Sequence, residues 1–156
     1  MSGARPTSPT ELVGRTGQPF RMRVELGKAR ELAKATRSNT TPPMDGADGA
    51  ALAPPIFLVT MGFWQQPEAN PLRGAGIDLA RVLHGEQEFV FHGPPIAVGD
   101  VLDGLSRIDK VYEKAGRRGG SMTFYEVLTE FRRDGELAAE SRSTLIETAA
   151  KERDRG

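Results

Sequence analysis

The sequence predicts an α+β fold, a long antiparallel sheet with helix packed against one face. Three features lead to it. From residue 79 onward the chain carries four consecutive segments of 10–15 residues that alternate apolar and polar. Asp134-Gly135, between the last two, is a strong hairpin signal. Before them stands a strand–helix unit whose helical face is made mostly of small residues.

Taken in order, RMRVEL (21–26) suits a strand, with Met22, Val24 and Leu26 pointing one way. KARELAKAT (28–36) reads as a short helix. Leu26, Ala29, Ala33 and Thr36 keep helical spacing, with Leu32 beside them. Small residues let a helix lie close to a sheet, so this helix is expected to be buried and central; a surface helix with a weak apolar stripe is the alternative. Residues 37–51, RSNTTPPMDGADGAA, are loop by their Thr, Pro, Gly and Asp content. In APPIFLVTMGFW (53–64), Pro54 and Pro55 can open a helix, because the first turn has no intrahelical partners for its N–H groups. Ile56, Phe57, Val59, Met61, Phe63 and Trp64 make that helix apolar on nearly all sides. It is either plain core or the lining of a tunnel for a long apolar ligand. QQPEANPLRGAG (65–76) is loop again. The strands are DLARVLHGEQEFVFH (78–92), VLDGLSRIDKVYEKA (101–115), SMTFYEVLTEFRR (121–133) and ELAAESRSTLIETA (136–149), with PPIAVGD and AGRRGG as turns.

A chain of 156 residues holds one domain comfortably, expected here over residues 11–148, with flexible ends at 1–10 and 149–156. Lys plus Arg equals Asp plus Glu at 21 each, which argues against a nucleic-acid partner. The absence of cysteine excludes disulfides, thiolate nucleophiles and Cys-based metal sites. The N-terminus has no apolar signal-peptide core, and the most apolar run falls short of the about 20 residues that span a bilayer. A cytoplasmic protein without a membrane partner is the expectation.

Both histidines lie in HGEQEFVFH (84–92). Strand parity puts His84, Glu86, Glu88, Val90 and His92 on one face, and Leu83, Gln87, Phe89 and Phe91 on the other. The aromatic face is the natural core face, so the histidines are read as solvated rather than catalytic. No metal-ligand spacing is present. Ser38, Ser106, Ser121, Ser141 and Ser143 lack a nucleophile elbow. GRRGG (116–120) lacks the spacing of a phosphate-binding loop. Its Arg117 and Arg118 are of a type that touches phosphates such as that of coenzyme A, but a solvated turn is the favoured reading.

The order of these pieces resembles the MaoC-like dehydratase and hydratase family of the hot-dog fold, and within it the N-terminal-type branch. The resemblance covers residues 11–148 and rests on Leu52-Ala53-Pro54-Pro55, the HGEQEF run, Gly93-Pro94-Pro95 and Ala97-Val98-Gly99-Asp100. It implies a sheet wrapped around a central helix, and pairing of two such units. It also implies chemistry on an acyl thioester, carried in catalytic members by an aspartate and a histidine in a Gly-Asp-x-Asn-Pro-x-His pattern. The matching stretch here, ATRSNTTPPM (35–44), has neither the aspartate nor the histidine. Arg37, Ser38, Asn39 and Thr40 form a degenerate loop; Asn39 and Thr40 do not titrate near neutral pH. Asp45 and Asp48 come later and lack a histidine partner.

The resemblance therefore implies an accessory subunit with no catalytic residues of its own and no cofactor or metal. It would act with a second MaoC-like chain on an acyl-CoA or acyl-carrier-protein thioester, in an (R)-specific enoyl-thioester hydratase or 3-hydroxyacyl-thioester dehydratase. Pro55, Ile56, Val59, Met61, Phe63 and Trp64 are the candidate acyl-pocket wall. Two other readings stay open: a self-sufficient acyl-CoA thioesterase using Asp45, Asp48 or Glu86 as a lone base, and a binding module without turnover; a homodimer stays possible beside a heterodimer.

Overall fold

The computed structural model describes residues 8–38, 51–116 and 120–149. Strand β1 (Phe20–Arg23) leads into helix α1 (Leu26–Ala35). A 3-10 helix follows at Pro55–Phe63, with shorter ones at Pro67–Ala69 and Leu79–Arg81. Then come β2 (Val82–Phe91), β3 (Val101–Ala115), β4 (Ser121–Arg133) and β5 (Glu136–Thr148). They form one antiparallel sheet in the order β1-β3-β4-β5-β2. At the N-terminal side, where a frayed end was expected, Pro9–Leu12 is already a 3-10 helix capped by Ser8.

Local sequence explains most of this. Asp134 and Gly135 both have positive φ, 52° and 85°, the backbone of the tight turn that suits the right-handed twist of a hairpin. Helix α1 buries Ala29 and Ala33 completely, as its small face predicts. The first strand is shorter than the expected 21–26 because helix α1 begins at Leu26, while Val24 still donates its N–H to the Asp100 carbonyl at 2.9 Å. On the core face, Phe20 meets Phe131 edge to face, with centroids 6.1 Å apart. Phe20 also lies over Gly104, where a Cβ would come within 2.3 Å of its ring; glycine there makes room for the aromatic.

The segment Pro55–Phe63 is a helix as predicted, but a 3-10 one, and it is not buried on all sides. With three residues per turn, side chains eclipse at every third position. Phe57, Leu58 and Thr60 face the sheet and are buried, whereas Ile56, Val59 and Phe63 are exposed. Under it, the sheet carries a buried row of hydroxyls, Ser106, Thr129 and Ser141. Ser106 and Thr129 share a 2.8 Å hydrogen bond. Gln65 Nε2 donates to Ser106 at 3.4 Å, and Gln87 Nε2 donates to Ser141 at 2.8 Å. Each buried hydroxyl therefore has a partner, as a dry interior requires.

Two of the quoted sequence pieces prove to be one structural unit. Leu52 bridges Ala97, Ala53 N donates to the Ile96 carbonyl, and Val98 N donates to the Ala51 carbonyl. The segment before the 3-10 helix is thereby stitched to the turn between β2 and β3. Arg133 holds that turn from across the sheet, donating to Asp100 Oδ2 at 2.6 Å and to the Pro95 and Pro94 carbonyls at 3.1 and 3.0 Å.

Candidate functional site

Strand β2 is one of the two edges of the sheet, and the longer one, paired on one side only, by β5. Its register changes the reading of the histidines. His84 stands opposite Leu145 and Glu86 opposite Thr144, so Gly85 is the extra residue of a β-bulge. Paired residues of an antiparallel ladder share a face. His84 therefore lies on the core face with Leu145, Gln87 and Phe89, not with Glu86, Glu88 and His92. The expected His/Glu/Glu/His face does not exist as one surface. A Cβ on Gly85 would come within 2.8 Å of the end of the Ile146 side chain, so glycine at the bulge leaves room for it.

His92 follows the end of β2, and its Nε2 lies 3.2 Å from Glu140 Oε2. Glu86 and Glu88 belong to the outer face of the sheet, around a shallow pocket shared with Asp109, Lys110, Glu126 and Arg142. Glu86 is thus on the opposite side of the sheet from the 3-10 helix. Among the described residues no group of three or more His, Asp or Glu could hold a metal ion. No helix among them is long and apolar enough to cross a membrane.

The proposed acyl-pocket residues divide between solvent and core. Pro55, Ile56, Val59 and Phe63 are exposed, Phe63 to 78%, while Met61 and Trp64 pack against the main core. Lys28 on α1 places its ammonium 4.8 Å from the centre of the Phe63 ring. Of the degenerate loop, Arg37 ends α1 with a positive φ of 53°, and Ser38 N donates to the Ala33 carbonyl at 2.9 Å. Asn39, Thr40, Asp45, Asp48, Arg117 and Arg118 lie outside the described residues.

Three features were not foreseen. One is the Arg133 clamp. A second is a network beneath the N-terminal 3-10 helix. Glu147 there accepts from Tyr125 Oη at 3.2 Å, from Arg81 Nη2 at 2.9 Å and from Asp78 N at 3.0 Å. Burial, with the neighbouring Glu147 carboxylate, pushes the Tyr125 hydroxyl up to about 12. The third is a cavity of about 500 Å3 beneath the 67–79 segment, walled by Pro67, Leu72, Ile77, Leu79, Val82 and Leu145. The 3-10 helix stops at Phe63, so this end of the core face is covered by loop, which fits less closely.

A long antiparallel sheet with a helix packed on one face is the hot-dog arrangement. The model of the FAS1-like dehydratase domain region matches residues 11–141, and the chain belongs to that family. Relatives include a UPF0336 protein of Streptomyces griseus, 30% identical over 154 residues and covering 90% of this chain and 95% of the relative. Another, from Saccharopolyspora erythraea, is 30% identical over 126 residues, covering 76% and 77%. Among solved structures, the fold is similar to a chain of the ChsH1-ChsH2 complex of Mycobacterium tuberculosis (TM-score 0.68, 17% identity, 87% and 90% covered). It is also similar to the HadBC 3R-hydroxyacyl-ACP dehydratase complex of the same organism (0.61, 22%, 87% and 98%). A MaoC-like dehydratase from Rhodospirillum rubrum is a further match (0.56, 14%, 90% and 94%).

Proposed function

We propose that this chain is the accessory subunit of a two-chain (R)-specific enoyl-thioester hydratase or 3-hydroxyacyl-thioester dehydratase. One observation carries the reading: where the histidines are. The chain has two in all, and both belong to the edge-strand segment 84–92. No histidine stands in residues 36–51, the stretch just after α1 where a catalytic hot-dog chain keeps its acid–base pair. A proton at C2 of an acyl thioester needs a base that titrates near neutral pH, so the second chain supplies it.

The edge supports the same reading. β2 is a ten-residue strand with one side unpaired, and a long open edge invites another strand. Phe91 of β2 is exposed on the core side, as are Ile56, Val59 and Phe63 of the helix. A second MaoC-like chain on this side would cover them and close the acyl pocket against Pro55, Ile56, Val59, Met61, Phe63 and Trp64. The two-chain complexes among the structural relatives are consistent with such a partner.

The test is turnover of trans-2-enoyl-CoA by the purified chain, alone and after co-expression with a MaoC-like chain that carries the Asp/His pattern. The reading expects a stable heterodimer and turnover in the mixture only. Hydration by the chain alone, or hydrolysis of the thioester by it, would contradict it.

A further inference from the structure

We propose that the outer face of the sheet, the side turned away from the helices, docks face to face on a second copy of this chain. A symmetry in the register carries the proposal. The ladders align β3, β4, β5 and β2 into rows across this face. Tyr112, Phe124, Ile146 and Leu83 form one row, and Lys110, Glu126, Thr144 and Glu86 the next. Arg107, Leu128, Arg142 and Glu88 follow, then Leu105, Glu130, Glu140 and Val90.

The first row is apolar from end to end on a face open to water. Tyr112 and Phe124 stack with centroids 4.9 Å apart and planes 7° from parallel. The Lys114 ammonium sits 5.1 and 5.0 Å from their centres. Leu83, at the other end of the row, is 56% exposed, and Leu105 in the last row is 42% exposed. Apolar groups thus stand at both ends of the face, with charges between them. Lys110 holds Glu126 at 3.1 Å and Arg107 holds Asp109 at 2.9 Å, but an ammonium or guanidinium has further N–H donors to offer.

Each row complements its own reverse. A two-fold axis along the strands, between β4 and β5, sets β3 over β2 of the copy and β4 over β5 of the copy. Lys110 then meets Glu86 of the copy, and Arg107 meets Glu88. Tyr112 meets Leu83, Phe124 meets Ile146, and Leu105 meets Val90. Glu126 meets the short Thr144, which lines the shallow pocket of this face, and finds there both room and a hydroxyl donor. Every such contact occurs twice, as an isologous interface requires. Glu130 on Glu140 is a like-charged contact, and each carboxylate brings its own cation, Arg132 at 2.9 Å and Arg142 at 3.5 Å. A two-fold axis across the strands would instead set Lys110 over Arg107 and Glu86 over Glu88, which costs energy. Four strands about 4.8 Å apart and eight residues of about 3.3 Å give a patch of roughly 19 by 26 Å. That area, about 500 Å2 in plan against about 800 Å2 per partner in a standard interface, suits a reversible dimer. The edge contact proposed above uses the backbone of β2 and leaves this face free.

The experiment is sedimentation equilibrium of the full chain across the micromolar range. The unmodified chain is expected to dimerise reversibly. Lys110→Glu and Glu86→Lys change exposed side chains, so folding is not at stake. Each should raise the dimer Kd at least about tenfold, because both symmetry-related pairs turn repulsive at once. Mixed in equal amounts, the two variants should pair with each other at within about threefold of the unmodified Kd, since every charge again meets its opposite. That rescue is specific to Lys110 facing Glu86 across the two-fold, and association through the β2 edge would not show it. A chain that stays monomeric throughout, a dimer indifferent to both substitutions, or a mixture that does not pair would overturn the proposal. None of these outcomes depends on the accessory-subunit reading.

Discussion

Arg133→Met tests the packing logic of the turn between β2 and β3. Arg133 and Asp100 are each only 20% exposed. The guanidinium makes one charge-assisted bond to Asp100 and two to the Pro94 and Pro95 carbonyls. Methionine keeps most of the stem and removes all three. It leaves the Asp100 carboxylate with the Ala97 N–H at 2.9 Å and no cation. A hydrogen bond to a charged group contributes about 1.5–3 kcal/mol, and breaking a buried pair costs about 3–5 kcal/mol. With the pair partly solvated, a loss of about 2–3 kcal/mol is expected. For a chain of this size that corresponds to roughly 4–12 °C in Tm. The assay is urea unfolding, where the midpoint should fall and the slope stay constant. The control is Arg142→Met. Arg142 is 55% exposed, with contacts of 3.8 and 3.5 Å to Glu88 and Glu140, and its loss should cost at most about 0.5 kcal/mol. If Arg133→Met were no worse than Arg142→Met, the clamp would have no structural role.

Other outcomes follow from the core and from the buried tyrosine. Phe131→Ala removes a fully buried ring and should cost about 3–5 kcal/mol in the same assay. Gly104→Val drives a side chain into the Phe20 ring and should cost about 1–3 kcal/mol; Gly104→Val combined with Phe20→Ala should be less than additive. Tyr125 gives a pH signature. Its hydroxyl is raised to about 12 in the folded chain, against about 10 when unfolded. The folded state thus holds its proton longer, and the stability it contributes is present below pH ~10 and lost as pH rises toward ~12. Tyr125→Phe should flatten that part of the stability–pH curve, and ultraviolet titration should show one fewer late-ionising phenol.

The long strands, the Asp-Gly hairpin and the alanine face of α1 were legible because each depends on local chemistry. The rest depended on contacts far apart in sequence. A bulge at Gly85 is invisible to strand parity, and the extra residue reverses the faces of Leu83 and His84 relative to the rest of β2. The side chain of His84 could therefore be placed only once Leu145 was seen opposite it. The apolar run 53–64 announced a helix but not its three-residue period, which sets Ile56 and Val59 on the exposed side and Phe57 and Thr60 on the buried one. The cavity escaped notice because its wall joins the 67–79 segment to Val82 and to Leu145. Arg133, 33 positions beyond Asp100, carried no local signal at all.

The central claim is that neither histidine of this chain moves a proton in the reaction. The most direct measurement is kcat and KM for hydration by the reconstituted pair carrying His84→Ala and His92→Ala together. The account predicts kcat and KM within about twofold of the unmodified pair, because neither imidazole reaches the reacting atoms. A fall in kcat of roughly 100-fold or more, the size of a lost general acid or base, would place catalysis on this chain and contradict the account.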